Sequence, residues 1–322
     1  MKALVTGGGG FLGGGIVRKL LARGDSVVSL TRTAYPWLDE LGVTQVHADL
    51  TDTTAVARAA AGCDAVFHVA AKAGVWGPAS SYHTTNVVGT RSVLDACRAA
   101  GVPRLVFTST PSVVHAGGPI EGGDESLPYP ASFAADYPRT KADAEKLVLT
   151  ANSPDLATVA LRPHLLWGPG DPHLVPRVLA RAKAGKLRRI GDRPVTVDVT
   201  YVDNAADAHL NAADRLAPAA ACAGRAYFIS NGEPVELWEF LNRVLALNGL
   251  PPITRSMSLW KAKLAGAVLE RVYRLLRLRS EPPMTRFVAG QLGTSHWFDI
   301  TAARRDLGYV PAVSVEEGLK RL

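Results

Sequence analysis

The sequence predicts an α/β fold, a doubly wound parallel sheet with a smaller C-terminal unit added to it. Three observations predict it. Short apolar runs with no helical period alternate with segments of helical period. A glycine-rich run, Gly7-Gly8-Gly9-Gly10-Phe11-Leu12-Gly13, joins the first apolar run to the first helical segment. The stretch Ala65–Ala70 is continuous and apolar, as a parallel strand covered on both faces requires.

Taken in order, Lys2–Thr6 reads as a buried first strand, and the apolar spacing turns helical from Phe11 through Ile16, Val17, Leu20 and Leu21. Gly7, Gly10 and Gly13 therefore fall on a strand-to-helix turn. Missing side chains there permit a tight bend, close approach of a pyrophosphate and close packing of helix on strand. Gly8, Gly10 and Gly13 fit the same spacing, so the glycines alone leave the register open. The second strand, Ser26–Leu30, leads to Thr31 and Arg32, where an NAD-binding unit carries an acid for the ribose 2′-hydroxyl. No carboxylate stands there to repel a 2′-phosphate, and a guanidinium is present to pair with one, which points to NADP(H). A third strand, Thr44–His47, precedes Ala48-Asp49-Leu50. Asp49 there either contacts an adenine or caps the helix that starts near Thr53. His68, within the fourth strand, reads as a packed core histidine.

The fifth strand, Arg104–Thr108, ends in Ser109-Thr110-Pro111-Ser112. At the carboxyl edge of a parallel sheet such hydroxyls reach the ligand crevice. A helix from about Ala134 to Ala151 carries Tyr137 and Lys141 four residues apart, on one face. A free phenol titrates near 10 and is a poor base at neutral pH. A neighbouring ammonium favours phenolate and brings proton transfer within range. This pair follows the glycine turn by about 130 residues.

The chain has 322 residues and a formal charge of +7. Its basic residues are dispersed apart from Arg181–Arg189 and Lys261–Arg279, and no nucleic-acid motif accompanies them, so nucleic acid is excluded as a partner. Anionic cofactor and carboxylated substrate account for part of the excess. No uncharged apolar stretch reaches 18 residues, and glycines interrupt any signal-peptide core at the N-terminus. Cys63, Cys97 and Cys222 are scattered, odd in number and without metal spacing, which fits reduced thiols in the cytoplasm and no metal site.

These residues resemble an extended short-chain dehydrogenase/reductase of the branch holding 3β-hydroxysteroid dehydrogenases and sterol-4α-carboxylate 3-dehydrogenases. The resemblance runs through Thr6–Gly13, Asn86-Val-Val-Gly89-Thr90, Tyr137 with Lys141, Leu161-Arg162-Pro163, Tyr201-Val-Asp-Asn204 and Asp306-Leu307-Gly308-Tyr309. Within that branch, Ser109–His115 and Trp167–His173 are similar to bacterial 2-alkyl-3-oxoalkanoate reductases of long-chain olefin biosynthesis. The resemblance implies a Rossmann fold and a catalytic set of Tyr137, Lys141 and a hydroxyl, either Thr110 or Ser109. It implies NADP(H) contacts from Gly7, Gly10, Phe11, Leu12, Gly13, Arg32, Asp49, Leu50, Ala70, Pro163 and His164, besides Tyr137 and Lys141. Asn86 would support the active-site helix. A homodimer joined through helices near Ser81–Ala100 and Ala134–Ala151 is implied, with association to other enzymes of the same pathway.

The organisation expected is a cofactor domain over residues 1–165, rejoined by 192–222, and a substrate domain over 166–191 and 223–322. Trp76, Trp167, His173, Trp260 and Phe287 are the expected substrate-binding residues. Leu259–Leu278 has helical period, with Lys263, Glu270, Arg271, Arg274 and Arg277 on one face and Leu264, Val268, Leu269, Val272, Leu275 and Leu276 over much of the rest. Such a helix lies on a membrane, clasps an aliphatic ligand or packs as a lid. Three functions follow: an NADP(H) oxidoreductase of β-keto or β-hydroxy fatty acids, a sterol dehydrogenase with the same catalytic set, or a cofactor-sensing regulator. The intact Tyr137/Lys141 pair argues against the third.

Overall fold

A computed structural model of the chain describes every residue except Arg279, so the end of the basic Lys261–Arg279 segment lies outside the described residues. The apolar runs form strands β1 (Lys2–Thr6), β2 (Ser26–Thr31), β3 (Thr44–His47), β4 (Ala65–His68) and β5 (Arg104–Thr108). Two later strands, β6 (Ala157–Pro163) and β7 (Arg225–Ile229), complete one sheet in the order β7-β6-β5-β4-β1-β2-β3. Every pairing in it is parallel. The chain reverses direction of winding between β1 and β4, and a crevice forms at the carboxyl ends there.

Apolar side chains cover both faces. Ile16 and Val17 of helix α1 (Phe11–Ala22) lie on one side with Phe67 and Val106, and Leu4, Val93 and Phe107 lie on the other. Helix α2 (Gly89–Ala100) continues directly from a π-helical segment, His83–Val88, that holds Asn86. Helix α3 spans Asp136–Thr150 and α4 spans Val202–Arg215.

The expected division needs two corrections. Residues 223–322 do not all belong to the second unit, because Arg225–Ile229 pairs in register with Val159–Pro163 as the edge of the main sheet. Ile300, Ala303 and Leu307 return to the same core. Conversely, Thr196–Val197 sits outside the main sheet, in a four-stranded sheet with Ile120–Gly123, Val235–Glu236 and His296–Phe298. The second unit has its own core around Trp167, Trp238, Phe240 and Val197.

Helix α5 (Leu259–Leu275) also departs from expectation. It docks through its small side: Ala262, Gly266 and Glu270 are its buried residues. A Cβ on Gly266 would stand 2.6 Å from the Thr285 carbonyl carbon, so only glycine allows this approach. Glu270 is therefore not part of a solvated charged face; it pairs with Arg286 at 2.8 Å. Trp260, Leu264, Val268, Val272 and Leu275 of α5 face outward, while Leu259 packs on the core of the second unit.

Candidate active site

The glycine turn has one register. Gly7 holds φ +73°, its N–H donates to the Leu30 carbonyl at 2.8 Å, and its own carbonyl accepts from Gly10 N–H at 2.9 Å. A Cβ on Gly13 would lie 2.1 Å from the Gly7 carbonyl oxygen. Gly7, Gly10 and Gly13 thus make the cradle, while Gly8 serves packing against Ser29 and Val17. No acidic side chain stands in the first turn of α1, and Gly10 brings no side-chain cap, so its leading N–H groups are open to an anion.

A cleft of about 770 Å³ runs from this turn across the sheet edge. At one end stand Arg32, Asp49 and Leu50, with the Tyr35 ring packed over Gly9. Asp49 does not cap the following helix; Asp52 does, accepting from Ala55 N–H at 3.0 Å. The Asp49 carboxyl accepts instead from Thr51 N–H and Oγ1, which hold it below its ordinary range, aided by the Arg32 charge. Phe11, Leu12 and Ala70 line the middle, and Pro163 lines the far wall.

Thr108, Ser109, Thr110, Tyr137 and Lys141 converge on that far part. Lys141, on α3, is almost wholly buried and donates from Nζ to the Thr108 carbonyl at 2.6 Å, above the Phe107 ring. Burial lowers its ammonium to about 7, opposed by the Glu145 charge. Burial also raises the Tyr137 phenol, and the nearby Thr110 hydroxyl opposes the rise. Thr110 is oriented by its own neighbourhood, accepting from Ser112 N–H at 3.3 Å where Pro111 starts a short helical turn. The Ser109 hydroxyl is buried and bonds no protein group. Of the two hydroxyls left open by the sequence, Thr110 is the one near enough to the phenol to oppose that rise.

Three supports hold this arrangement. Asn86 donates to Thr140 Oγ1 at 3.0 Å on α3 and accepts from Lys72 N–H at 2.7 Å, tying the helix to the loop after β4. Glu145, wholly buried on α3, takes two bonds from Arg162 on β6, at 2.6 and 3.0 Å, and one from Tyr129. His209 holds the Thr108 hydroxyl at 2.8 Å. His68 lies in the core between Thr6 and Thr90, driven by burial down to about 3, which suits a neutral structural histidine.

The expected substrate-binding residues separate. His173 lines the cleft beside Arg177, Leu174 and Asp171. Trp76 and Phe287 line a second cavity of about 820 Å³, with Tyr82, Tyr273, Lys72 and Arg274. The loop after β4 divides the two cavities: Ala71 and Ala73 face the first, Lys72 and Trp76 the second. Trp167 and Trp260 line neither. Trp167 packs edge-on against Tyr201 and Phe240, with centroids at 5.4 and 5.1 Å, because its strand points into the core of the second unit. Trp260 stands in solvent on the first turn of α5. His164 is likewise turned from the cleft. Its imidazole meets that of His296 at 2.6 Å in a buried pair, and burial holds it well below its ordinary range.

Tyr35, Leu165, Leu166 and Arg177 line the cleft without having been expected there. Leu165 adopts φ +40°, a conformation no sequence pattern announces. Arg177 lies in the first turn of the helix Leu174–Lys183, and His173 is the residue just before that helix.

The sequence pattern of the 3-beta hydroxysteroid dehydrogenase/isomerase family matches residues 4–259. The chain belongs to that family. It is an oxidoreductase. A 2-alkyl-3-oxoalkanoate reductase of Stenotrophomonas maltophilia is 56% identical over 324 residues, covering 100% of this chain and 98% of the relative. A second protein of that description, from Shewanella oneidensis, is 52% identical, covering 99% of this chain and 85% of the relative. Among solved structures, MoeE5 in complex with UDP-glucose and NAD is similar at a TM-score of 0.76 and 26% identity, over 100% of this chain and 97% of the other.

Proposed function

We propose that the protein reduces 2-alkyl-3-oxoalkanoic acids to 2-alkyl-3-hydroxyalkanoic acids with a nicotinamide cofactor, NADP(H) in preference to NAD(H). The observation that carries this reading is the convergence of Tyr137, Thr110 and Lys141 on one cleft with the glycine cradle and Arg32. The two relatives above 50% identity bear that activity in their descriptions, and MoeE5 was solved with NAD.

The residues present fit a dinucleotide. Gly13 lets α1 close onto the Gly7 carbonyl, where a Cβ would stand 2.1 Å away, the N-terminus of α1 presents free donors, and Arg32 in the same cleft is available to pair with a 2′-phosphate. Bound there, the reduced nicotinamide supplies the hydride. The protein's own residues do the rest. Thr110 donates to the ketone oxygen and positions it beside the phenol. Burial keeps Tyr137 protonated, as the donor of a reduction must be. Tyr137 gives its proton to the oxygen at C3, and the Lys141 ammonium stabilises the phenolate left behind. Lys141 spends one N–H on the Thr108 carbonyl, leaving two donors for the cofactor ribose and the phenolate.

The substrate's alkyl arms require apolar room, and Leu165, Leu166 and Leu174 supply it in the cleft that holds Tyr137. The second cavity, where Lys72, Asp136, Glu270, Arg274 and Arg277 share the wall with Trp76, Tyr82, Tyr273 and Phe287, lies across the loop after β4. The test runs the reaction backwards, with NADP⁺ and 2-alkyl-3-hydroxy acids of rising chain length, because β-keto acids lose carbon dioxide. Each buried methylene contributes about 0.8 kcal/mol, so catalytic efficiency should climb about fourfold per methylene until the space is full. A flat response, with fast turnover of a 3β-hydroxysterol, would move the assignment to the sterol branch.

A further inference from the structure

The docking of α5 leaves its apolar side unused. Ala262, Gly266 and Glu270 recur every four residues on the buried side. Trp260, Leu264, Val268, Val272 and Leu275 fall on the opposite side and are between 40 and 83% exposed, and Leu276, which caps the helix, is exposed as well. A helix normally turns such a stripe inward. Here the close approach at Gly266 commits the small side to the protein, so the large apolar residues form a contiguous exposed patch.

The exposed charges on and just after α5 are of one sign. Lys261, Arg271, Arg274 and Arg277 are exposed, and Lys263 is half-buried. The helix has a single acid, Glu270, which is buried and paired with Arg286. Lys261 Nζ stands 5.5 Å from the Trp260 ring, so cation and aromatic share one end of the stripe. Just before the helix, Ser256–Met257 pairs with Arg189–Ile190, which brings the segment of exposed Lys186 and Arg188 to the same end. At 17 residues the helix is about 25 Å long. Among the described residues no helix is long and apolar enough to cross a membrane.

We propose that α5 is a docking face for an anionic lipid surface, lying in its plane with the Trp260–Leu276 stripe inserted and the lysines and arginines on the headgroups. The charge pattern favours this occupant over a second copy of the chain. Two copies meeting through this face would bring the same patch together, cation against cation, with no exposed acid on the helix to answer them. The cavity of Trp76 and Phe287 is lined by Tyr273, Arg274 and Leu278 from the same stretch, so it borders the docked face. The docking itself stands on the helix alone and does not rest on the proposed substrate.

The test is co-sedimentation of the full chain with vesicles of phosphatidylcholine and phosphatidylglycerol, and with phosphatidylcholine alone. The wild type should bind the anionic vesicles at least tenfold more tightly than the neutral ones, and added salt should weaken that binding. Leu264→Ser/Val268→Ser/Leu275→Ser together, and Lys261→Glu with Arg271→Glu, should each lose binding tenfold or more while cofactor affinity and thermal midpoint stay at wild-type values. These residues are exposed and lie outside both cavities. A wild type left in the supernatant with anionic vesicles would overturn the proposal, as would undiminished binding by the triple variant. A sedimentation mass that falls in the triple variant, without vesicle binding by the wild type, would make the stripe an interface between copies instead. Because vesicle binding is read without substrate, its failure is distinct from a failure of the proposed reductase activity.

Discussion

Gly13→Ala tests the cradle at its tightest point. The added Cβ would lie 2.1 Å from the Gly7 carbonyl oxygen, 2.8 Å from its carbon and 3.1 Å from the Gly8 Cα. All three are backbone atoms of the turn itself, so no rotamer relieves the contact. Either α1 moves away from the turn or the turn opens, and both displace the N–H groups expected to meet the pyrophosphate. Overpacking of this kind costs about 1–3 kcal/mol. Drawn from cofactor binding, that is a loss of about 5- to 150-fold in affinity. Gly15→Ala is the matched control, one turn-face away in the same helix. Its Cβ would meet Ala206 and Val202 at 3.6 Å, an ordinary contact. Alanine in a helix interior gains about 0.5–1 kcal/mol over glycine, so this variant should melt slightly higher and bind cofactor as the wild type does. Fluorescence titration of both variants with NADPH decides the matter. Equal affinity for Gly13→Ala and wild type would refute the placement of the dinucleotide.

Arg32→Ala should weaken NADPH by about 1.5–3 kcal/mol, roughly 10- to 150-fold, and leave NADH unchanged; equal losses for both cofactors would remove the 2′-phosphate assignment. Apo-protein stability should rise as pH climbs from about 7 toward 8.5, where folded Lys141 has released a proton that the unfolded chain still holds. Thermal melts of Lys141→Met should lack that rise, and an identical slope in the variant would exclude the buried ammonium as its cause. Equilibrium sedimentation should give twice the chain mass of 34.1 kDa, in keeping with a dimer through α2 and α3; a single chain mass at micromolar concentration would remove that expectation.

The parts of the fold legible in the sequence are those whose signal is local. The glycine turn, strands β1 to β5 and the Tyr137/Lys141 spacing each need only neighbouring residues to specify them. Strand β7 was not legible as part of the main sheet, because what places it is pairing with β6, whose residues lie some 66 positions earlier. Trp167 and Trp76 are alike in composition, yet one fills a core and the other a cavity wall, and only the packing of the second unit distinguishes them. Successive residues of an extended strand face opposite sides, so a cleft-lining Pro163 turns His164 away. On α5 the helical period is local and legible, but its orientation depends on Gly266 meeting Thr285, a contact that no periodicity announces.

The central claim is that Tyr137 is the proton donor of a hydride-transfer reaction. Tyr137→Phe removes one hydroxyl and little volume, so cofactor affinity should stay within about twofold of wild type. Measured with NADP⁺ and a 2-alkyl-3-hydroxy acid, turnover of the variant should fall by about 10²- to 10⁴-fold. A phenylalanine variant that binds cofactor normally and keeps turnover within tenfold of wild type would contradict the account.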